Sequence, residues 1–540
     1  MPVYRRVWLA LLVSNLGSFL QLTAAPWVML ELTDSPLMVS LVTTALTLPQ
    51  LLLTIPSGAI ADAFDRRTVM IVGHVTSAGA AAVMSVLAVT DSLTPTGILV
   101  LSFALGTGSA IGLPAFQTLV PDLVGDELRA QAITLNSAAF NVARAVGPSI
   151  GGAFVALGLA ATSFGGNAVS YLVVVGVLLT VPRQLVEETS RPPVWRSAAT
   201  GMRYVRFTRP LPVLLVVTAL FVLTGTSLQA LLPSVSADAL GLDAAGFGLL
   251  YGAFGLGAIV AAFTRETARL RLGRRMLPVS IIVFGASGVT FGVSTSPLLS
   301  GLALAGAGLG WVWTLVTLNA TVQILAPRWV RSRVMSLYVL AVGIQPLGAL
   351  GAGAVAEFAG AGTSVAVFTA ATALLGLVAL RVDLPVLGEV SGPTVPEGWV
   401  VPVHADDVVG SPIVVSTTWQ IVPADLETFL LALRDLRRER LRTGAHKWEV
   451  FRDAADPFRI TEQFTVHSWE EHLAQHARID VAAADAIALA RGFDCADGPV
   501  TVHLAGIDAS AAGAAFRLDR AALAEHGKLH ASDGSVPLQS

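Results

Sequence analysis

One arginine stands inside an apolar stretch. The segment NVARAVGPSIGG, residues 141–152, holds Arg144, followed by Gly147, Pro148, Gly151 and Gly152. A guanidinium cannot shed its charge, and a charge near the middle of a bilayer is costly unless it faces a bundle interior or a wet cavity. Pro148 has no N–H, and its ring displaces the carbonyl four residues earlier, which is that of Arg144. The kink frees an acceptor where unmet polar groups are expensive. Gly147 and Gly151 share one helix face, as do Pro148 and Gly152, a spacing that lets other helices approach closely. Arg144 is therefore suited to pairing with polar neighbours, holding an anionic group or raising the field at a titrating acid. The plainer alternative is that it ties helices together through backbone carbonyls.

Other groups with chemistry are sparse. No Asp or Glu lies deep in an apolar stretch; Glu31 and Asp34 stand at the end of the first and Glu357 at the end of the eleventh. Partial burial would raise the pKa of Glu31 or Asp34 into a useful range for carrying protons, although acids at such ends are more often solvated. His74 is a further proton carrier by type, with helix packing as the commoner role. Asn15, Gln21, Asn136, Asn141, Asn319 and Gln323 supply neutral hydrogen-bonding groups, and Trp311 and Trp313 apolar faces, for a cavity that would suit bulky amphipathic molecules. Cys495 is the only cysteine, which excludes a disulfide framework and a thiolate zinc cluster. No metal, cofactor or catalytic residue is expected.

These residues must be held by membrane helices. Of the 540 residues 54% are hydrophobic and 13% charged, with a mean hydropathy of +0.70, whereas a soluble chain carries roughly a quarter charged residues. The near-neutral charge of −3 and the lack of a basic, aromatic-interleaved patch argue against nucleic acid. The first apolar stretch has no cleavage site behind it and reads as a retained helix. A spanning helix needs about 20 apolar residues, and twelve stretches meet that rule: roughly 7–30, 37–61, 68–90, 96–120, 130–156, 162–181, 211–233, 245–264, 276–294, 298–325, 334–357 and 363–381. Alternate connections hold every arginine of this region outside the spans (Arg5, Arg6, Arg66, Arg67, Arg129, Arg183 to Arg209, Arg265 to Arg275, Arg328 to Arg333 and Arg381); the others hold Glu31, Asp34, Asp91, Asp238, Asp243 and Glu357. The positive-inside rule then puts both termini in the cytoplasm and the chain in the inner (plasma) membrane.

The two halves of this region echo one another. Pro26 and Pro233, Gln117 and Gln323, Pro121 and Pro327, and Arg67 and Arg274 are each 206 or 207 residues apart. Residues 1–181 form one six-helix half, 211–382 the other, and the arginine-rich stretch 182–210 a cytoplasmic joint.

The loop after the second span, GAIADAFDRRTVM (58–70), resembles the loop signature of the major facilitator superfamily, with Gly58, Asp62 and the pair Arg66 and Arg67. Its Asp-Arg-Arg ending, from Asp65, resembles the branch of drug–proton antiporters that includes the enterobactin exporter. GPSIGG resembles the fifth-span motif of the same antiporters. The resemblance implies twelve helices in two parallel six-helix repeats that rock about a midplane site, with Gly58, Asp62, Asp65, Arg66 and Arg67 as a conformational latch. The chain departs from the common pattern at Ala63, where a basic residue is usual, and at Asp65, where glycine is usual.

After residue 383 the pattern changes. Residues 383–410 read as a proline-spaced linker. Residues 413–421 alternate like a strand, 424–442 form an amphipathic helix, and 447–453 and 459–467 are strands. A helix opens at Ser468 with Glu471 at the capping-box position; a further helix runs to Arg491 and a strand follows at 499–504. This βαββαβ order is ferredoxin-like, and residues 411–505 resemble antibiotic-biosynthesis-monooxygenase-type domains, which pair as dimers. His472 and His476, four apart, are read as a solvated helix face rather than a metal site, and residues 506–540 as a partly disordered tail. Trp448 and Trp469 are read as packing residues.

The fold expected is thus an all-α membrane protein of twelve transmembrane helices, followed by a cytoplasmic α+β ferredoxin-like domain. The function expected is proton-coupled efflux of a small amphipathic compound (a drug, siderophore or secondary metabolite) through the lipid bilayer, with a homodimer formed by the C-terminal domain. The alternatives are a lipid or lysolipid flippase of the same fold, or a transporter whose C-terminal domain is an enzyme or ligand sensor.

Overall fold

A computed structural model describes residues 2–124, 126–182, 194–327, 329–381, 412–476, 478–479, 481–496 and 498–506. The chain divides into two compact units, Met1–Ser391 and Gly392–Ser540. The linker expected at 383–410 and nearly all of the tail lie outside the described residues.

The first unit opens with six helices: α1 (Pro2–Thr33), α2 (Pro36–Ala63), α3 (Arg66–Val89), α4 (Pro95–Asp122), α5 (Asp126–Ala156) and α6 (Ala160–Leu178). They pack α1 against α5 and α6, α3 against α4 and α6, and α2 against α4. A second set follows: α8 (Leu211–Ala230), α9 (Leu232–Asp238), α10 (Ala244–Leu272), α11 (Met276–Val293), α12 (Pro297–Leu325), α13 (Arg331–Val342), α14 (Gln345–Ala359) and α15 (Ala361–Ala379). Short polar caps start several helices: Ser35 accepts from the Met38 N–H at 3.3 Å and Asp243 from the Gly246 N–H at 2.9 Å, filling donors that the first turn leaves open. Phe263, Phe358 and Leu157 stand outward and bare, which a lipid-facing surface accommodates and a water-facing one does not.

Ten stretches of the described residues are long and apolar enough to cross a bilayer. One of them, Ala244–Val293, contains both α10 and α11, and Val142–Ala156 within α5 is a shorter apolar stretch. Two expected spans are broken. Residues 211–233 split into α8 and α9 at Leu231, just before Pro233, and 334–357 split into α13 and α14 at Gly343 and Ile344, before Pro346. In both cases the proline sits at the second position of the new helix, where its missing N–H costs nothing. Pro26, the partner of Pro233 in the sequence repeat, instead stays inside an unbroken α1. The joint 182–210 holds a helix, α7 (Val194–Phe207), that the loop reading missed. Tyr204 anchors it, with its hydroxyl donating to the Leu325 carbonyl at 3.1 Å and its ring edge-on to Trp329.

The second unit is a four-stranded antiparallel sheet in the order β2-β3-β1-β4. The succession is β1 (Ile413–Gln420), α16 (Leu426–Thr443), β2 (Lys447–Arg452), β3 (Arg459–Val466), α17 (Trp469–His476), α18 (Val481–Arg491) and β4 (Val500–Ala505). Strands β1 and β3 alternate buried and half-buried residues, as a sheet covered on one face requires. Trp419, Phe429, Leu433 and Leu436 form the centre of the core.

Candidate functional site

A cavity of about 570 Å3 lies within the first unit, lined by residues of both helix sets. Its polar lining includes Asn15, Ser18, His74, Asn136, Arg144 and Tyr171, and its apolar lining Trp8, Phe116, Phe140 and Trp311. A smaller neighbouring space of about 270 Å3 shares Asn15, Ser18, Phe140 and Tyr171 and reaches Gln21 and Asn167. The larger falls in the size range of sites for small molecules, and its mixture of aromatic walls with a few polar groups is typical of them.

The two helix sets meet closely at one end of this cavity. At the end that carries Asp34 and Glu357, Ser35 Oγ donates to Glu357 Oε2 at 2.8 Å, and the Leu37 N–H donates to the same oxygen at 3.3 Å. Thr44 Oγ1 reaches the Pro346 carbonyl at 3.4 Å. Beside this α2–α14 seam runs an α5–α10 seam, where Ser149 Oγ donates to the Gly248 carbonyl at 3.3 Å. Glycines make the second seam possible. A Cβ on Gly248 would lie 2.6 Å from the Pro148 carbonyl oxygen, and one on Gly152 would lie 2.8 Å from the Gly248 Cα. Gly147 and Gly151 turn the other way, onto Phe19 and Leu20 of α1. The fifth-span motif thus serves two neighbours with its two small faces. The cavity extends from these seams toward the end that carries Arg5 and Arg67, where Trp8 lines it.

Arg144 lines this cavity beside the α5–α10 seam. Its guanidinium stands 4.7 Å from the centre of the Phe254 ring, a contact between the two helix sets. Among the described residues it has no carboxylate partner, and its side chain is half-buried because it faces the cavity. The carbonyl of Arg144 freed by Pro148 abuts Gly255, where a Cβ would come within 2.7 Å of it.

The other residues singled out in the sequence scatter. Asn15, Asn136, His74 and Trp311 line the larger cavity and Gln21 the smaller. His74 Nδ1 lies 2.8 Å from the Met70 carbonyl oxygen, and its ring meets Tyr171 edge-on at 5.8 Å. Trp313 turns to α10 and donates to the Ala261 carbonyl at 3.1 Å, while Gln323 is exposed and donates to Asn319 at 2.6 Å; none of these three is among the cavity's lining residues. Glu31 is exposed and accepts from Trp27 at 2.8 Å; Asp34 is exposed, with φ +50°. The Asp34 charge contributes, after burial, to holding the Asp238 carboxyl above its ordinary range. In the loop 58–70, Asp65 accepts from Thr68 at 2.9 Å, and Arg67 donates to the Leu179 carbonyl at 2.9 Å, tying the start of α3 to the end of α6. Arg66 has a partner as well. The surroundings of Gly58 and the side chains of Asp62 and Asn141 lie outside what the structure describes.

Sequence reasoning missed a buried polar chain. Tyr171 and Ser18 hydroxyls lie 3.0 Å apart, and Asn167 donates to Gln21 at 2.5 Å. Asn167 and Tyr171 are four apart on α6, and Ser14 and Ser18 four apart on α1, so helical spacing of polar residues in an apolar span was the available signal.

In the second unit the solvated reading of His472 is overturned. His472 is buried, its Nε2 lies 3.1 Å from that of His476, and the His503 ring is 4.8 Å away on β4. The register pairs His503 with Val415 and Val415 with Phe464, one row across the helix-covered face, and α17 presses His472 onto it. Burial, then the neighbouring His476 and His503, push the His472 imidazole down to about 3. Burial and Arg440 hold His476 at about 4. Among the described residues no group of three His, Cys, Asp or Glu is placed to hold a metal ion. Trp448 donates to the buried Glu462 at 2.9 Å, and Trp469 packs edge-on against His503.

Residues 1–510 match the family model described as transmembrane secretion effector, a branch of the major facilitator superfamily. The chain belongs to that family. Among its relatives, the multidrug efflux pump Tap of Mycolicibacterium fortuitum is 29% identical over 70% of this chain and 95% of its own length. The staphyloferrin A transporter of Staphylococcus aureus is 25% identical, over 62% and 85%. The enterobactin exporter EntS of Salmonella choleraesuis is 26% identical, over 65% and 86%. Solved structures share the fold: the nucleoside transporter NupG superposes with a TM-score of 0.56 at 12% identity, over 71% of this chain and 99% of NupG. A bacterial homologue of the human lysosomal transporter Spinster, inward-facing and unoccupied, gives 0.56 at 15% identity, over 71% and 96%. The family is one of multi-pass membrane transporters, and the membrane unit described above is its architecture.

Proposed function

We propose that this family member is a secondary-active exporter that carries a small amphipathic compound outward by alternating access, in exchange for protons. One observation carries the reading: a cavity of about 570 Å3, mixed polar and aromatic, lies between helix sets that are sealed at the Glu357 end. Sealing one end of a central site is one half of an alternating-access cycle. The names of the efflux pump Tap and the exporter EntS support the direction of transport. Twelve spans complete the architecture, because α10 and α11 share one of the ten candidate stretches and α5 supplies a further one. Both termini and the arginine-bearing loops face the cytoplasm under the positive-inside rule, so the sealed end is the outer one.

Within this reading the loop 58–70, with Gly58, Asp62, Asp65, Arg66 and Arg67, latches the cytoplasmic ends when the outer end opens. The 147–152 motif is the surface on which α5 and α10 close. His74, Glu31 and Asp34 are the candidates for proton coupling. The second unit is a ferredoxin-like domain on the cytoplasmic side that joins two copies of the chain.

Proton movement in inside-out vesicles tests the proposal, with a pH-sensitive dye and a panel of amphipathic compounds. Discharge of an acid-inside gradient by a compound, only when intact protein is present, is the expected result. Compound uptake into the vesicles with no proton flux would remove the antiport element and keep export. No movement of any compound, with lipid movement instead, would replace export with flippase activity.

A further inference from the structure

We infer that Arg144 is the anchor for an anionic group on the transported molecule, a carboxylate or ionised phenol on an amphipathic body, and that loading it is what lets the cavity close. The inference deepens the exporter reading above and rests on it. Its starting point is an unbalanced charge. The described acids of the membrane unit, among them Glu31, Asp65, Asp91, Asp243 and Glu266, all lie at or near helix ends. Arg144 lies in the body of α5, has no hydrogen bond or ion pair to any described residue, and stands over the Phe254 face near Tyr251. A guanidinium cannot neutralise itself by losing a proton, and a cation held in a low-dielectric site without a partner is strongly disfavoured. The partner must therefore come from the cavity that Arg144 lines.

The surroundings fit such a partner. Phe254 covers one side of the guanidinium and leaves its fork of N–H donors for a planar oxyanion, which Arg grips in bidentate fashion. Asn15, Asn136 and Ser18 add neutral hydrogen-bonding groups, and among the described residues no second Lys or Arg lines the space. Phe140 and Trp311 offer walls for an aromatic or aliphatic body. The location also links binding to movement. The Arg144 carbonyl abuts Gly255 and its guanidinium abuts Phe254, so a group held there is felt by α5 and α10 where they cross. Closing the inner end over a bare guanidinium would strip its water and give nothing in return. Closing it over an ion pair would not.

The test uses the purified full-length protein in nanodiscs and the fluorescent amphipath 11-(dansylamino)undecanoate, beside its uncharged carboxamide. In phosphatidylcholine discs the carboxylate is expected to bind at least tenfold more tightly than the carboxamide. Arg144→Gln removes the preference and Arg144→Lys restores part of it, which separates loss of the charge from loss of the fold. Equal binding of the two probes by the unaltered protein, or a preference that survives Arg144→Gln, overturns the inference. A second arm in discs containing phosphatidylglycerol identifies the source of the anion: displacement of the probe, lost in Arg144→Gln, assigns the anchor to a lipid headgroup, and no displacement assigns it to a soluble amphipath. Vesicle transport keeps the two readings apart. Arg144-dependent binding without outward movement sinks the exporter and leaves the anchor, whereas outward movement of neutral and anionic compounds alike by both unaltered protein and Arg144→Gln sinks the anchor and leaves the exporter.

Discussion

Glu357 completes the first turn of a helix in the opposite helix set. Its Oε2 accepts from Ser35 Oγ at 2.8 Å and from the Leu37 N–H at 3.3 Å. Ser35 already caps α2 through the Met38 N–H, so the carboxylate adds charge where the helix dipole is positive. The seal is exposed to solvent, which limits it to about 1 kcal/mol, roughly a fivefold change in the open population. Ser40 is buried beneath this seam against Gly353. In a Cys495→Ser background, a cysteine replacing Ser40 should react about fivefold faster with a polar thiol reagent once Glu357 becomes Ala. An unchanged rate would mean that Glu357 does not hold the seam.

The α5–α10 crossing depends on backbone contact. A Cβ on Gly255 would lie 2.7 Å from the Arg144 carbonyl oxygen and 2.9 Å from the Ala145 nitrogen, and backbone cannot step aside as a flexible side chain does. Gly255→Val should therefore hold the two helices apart and lower transport by about tenfold or more, since misfit at a close helix crossing has no small adjustment. Gly79→Ala is the control: nothing lies within 4 Å of that site, and alanine favours a helix by about 1 kcal/mol over glycine. Equal transport by the two variants would contradict the closed crossing described above.

Much of the membrane unit was legible because bilayer physics writes it into composition. Apolar length and arginine placement located the helices, and Arg144 with Pro148 stood out as an anomaly in an apolar run. What faces Arg144 was not legible: Phe254 is one aromatic among many, and only the glycines at 248, 252 and 255 hinted at a close crossing. The breaks before Pro233 and Pro346 were overlooked because helices in bilayers often continue through proline, as α1 does at Pro26. In the second unit, alternation located the strands to within a residue or two. The spacing of His472 and His476 shows that they share a helix face but not which way that face turns. Burial of His472 is decided by β4, some thirty residues later.

Glu462 is a fully buried acid of the second unit. Its Oε1 accepts from Trp448 Nε1 at 2.9 Å and from Arg440 Nε at 3.3 Å, and Arg440 also covers the Phe464 ring at 4.6 Å. Removing one member of a buried pair leaves the other uncompensated, at a cost of about 3 kcal/mol or more. Glu462→Ala should speed amide hydrogen exchange across residues 412–506 of the full-length protein by roughly a hundredfold, while Glu449→Ala, on an exposed position of β2, should leave it unchanged. Comparable exchange in both variants would mean that Arg440 finds water or another acceptor at no cost.

The histidine pair makes the same unit sensitive to acid. In the folded unit His472 takes up a proton only near pH 3 and His476 only near pH 4, because burial disfavours the charged ring first and the neighbouring cations and rings add to it. In the unfolded chain both take up protons near the ordinary 6.5. Between those values the unfolded chain binds more protons, so stability rises with pH there and is lost as pH falls below about 6.5. The slope is at most about 1.4 kcal/mol per pH unit for each histidine. Hydrogen exchange of residues 412–506 in the full-length protein, corrected for intrinsic rates, should therefore speed up markedly between pH 7 and pH 5. His472→Phe should flatten that dependence, because an apolar ring pressed from α17 onto the row of His503, Val415 and Phe464 has no proton to gain. The same pH dependence with and without His472 would place the acid sensitivity elsewhere, His476 and His503 being the next rings to replace.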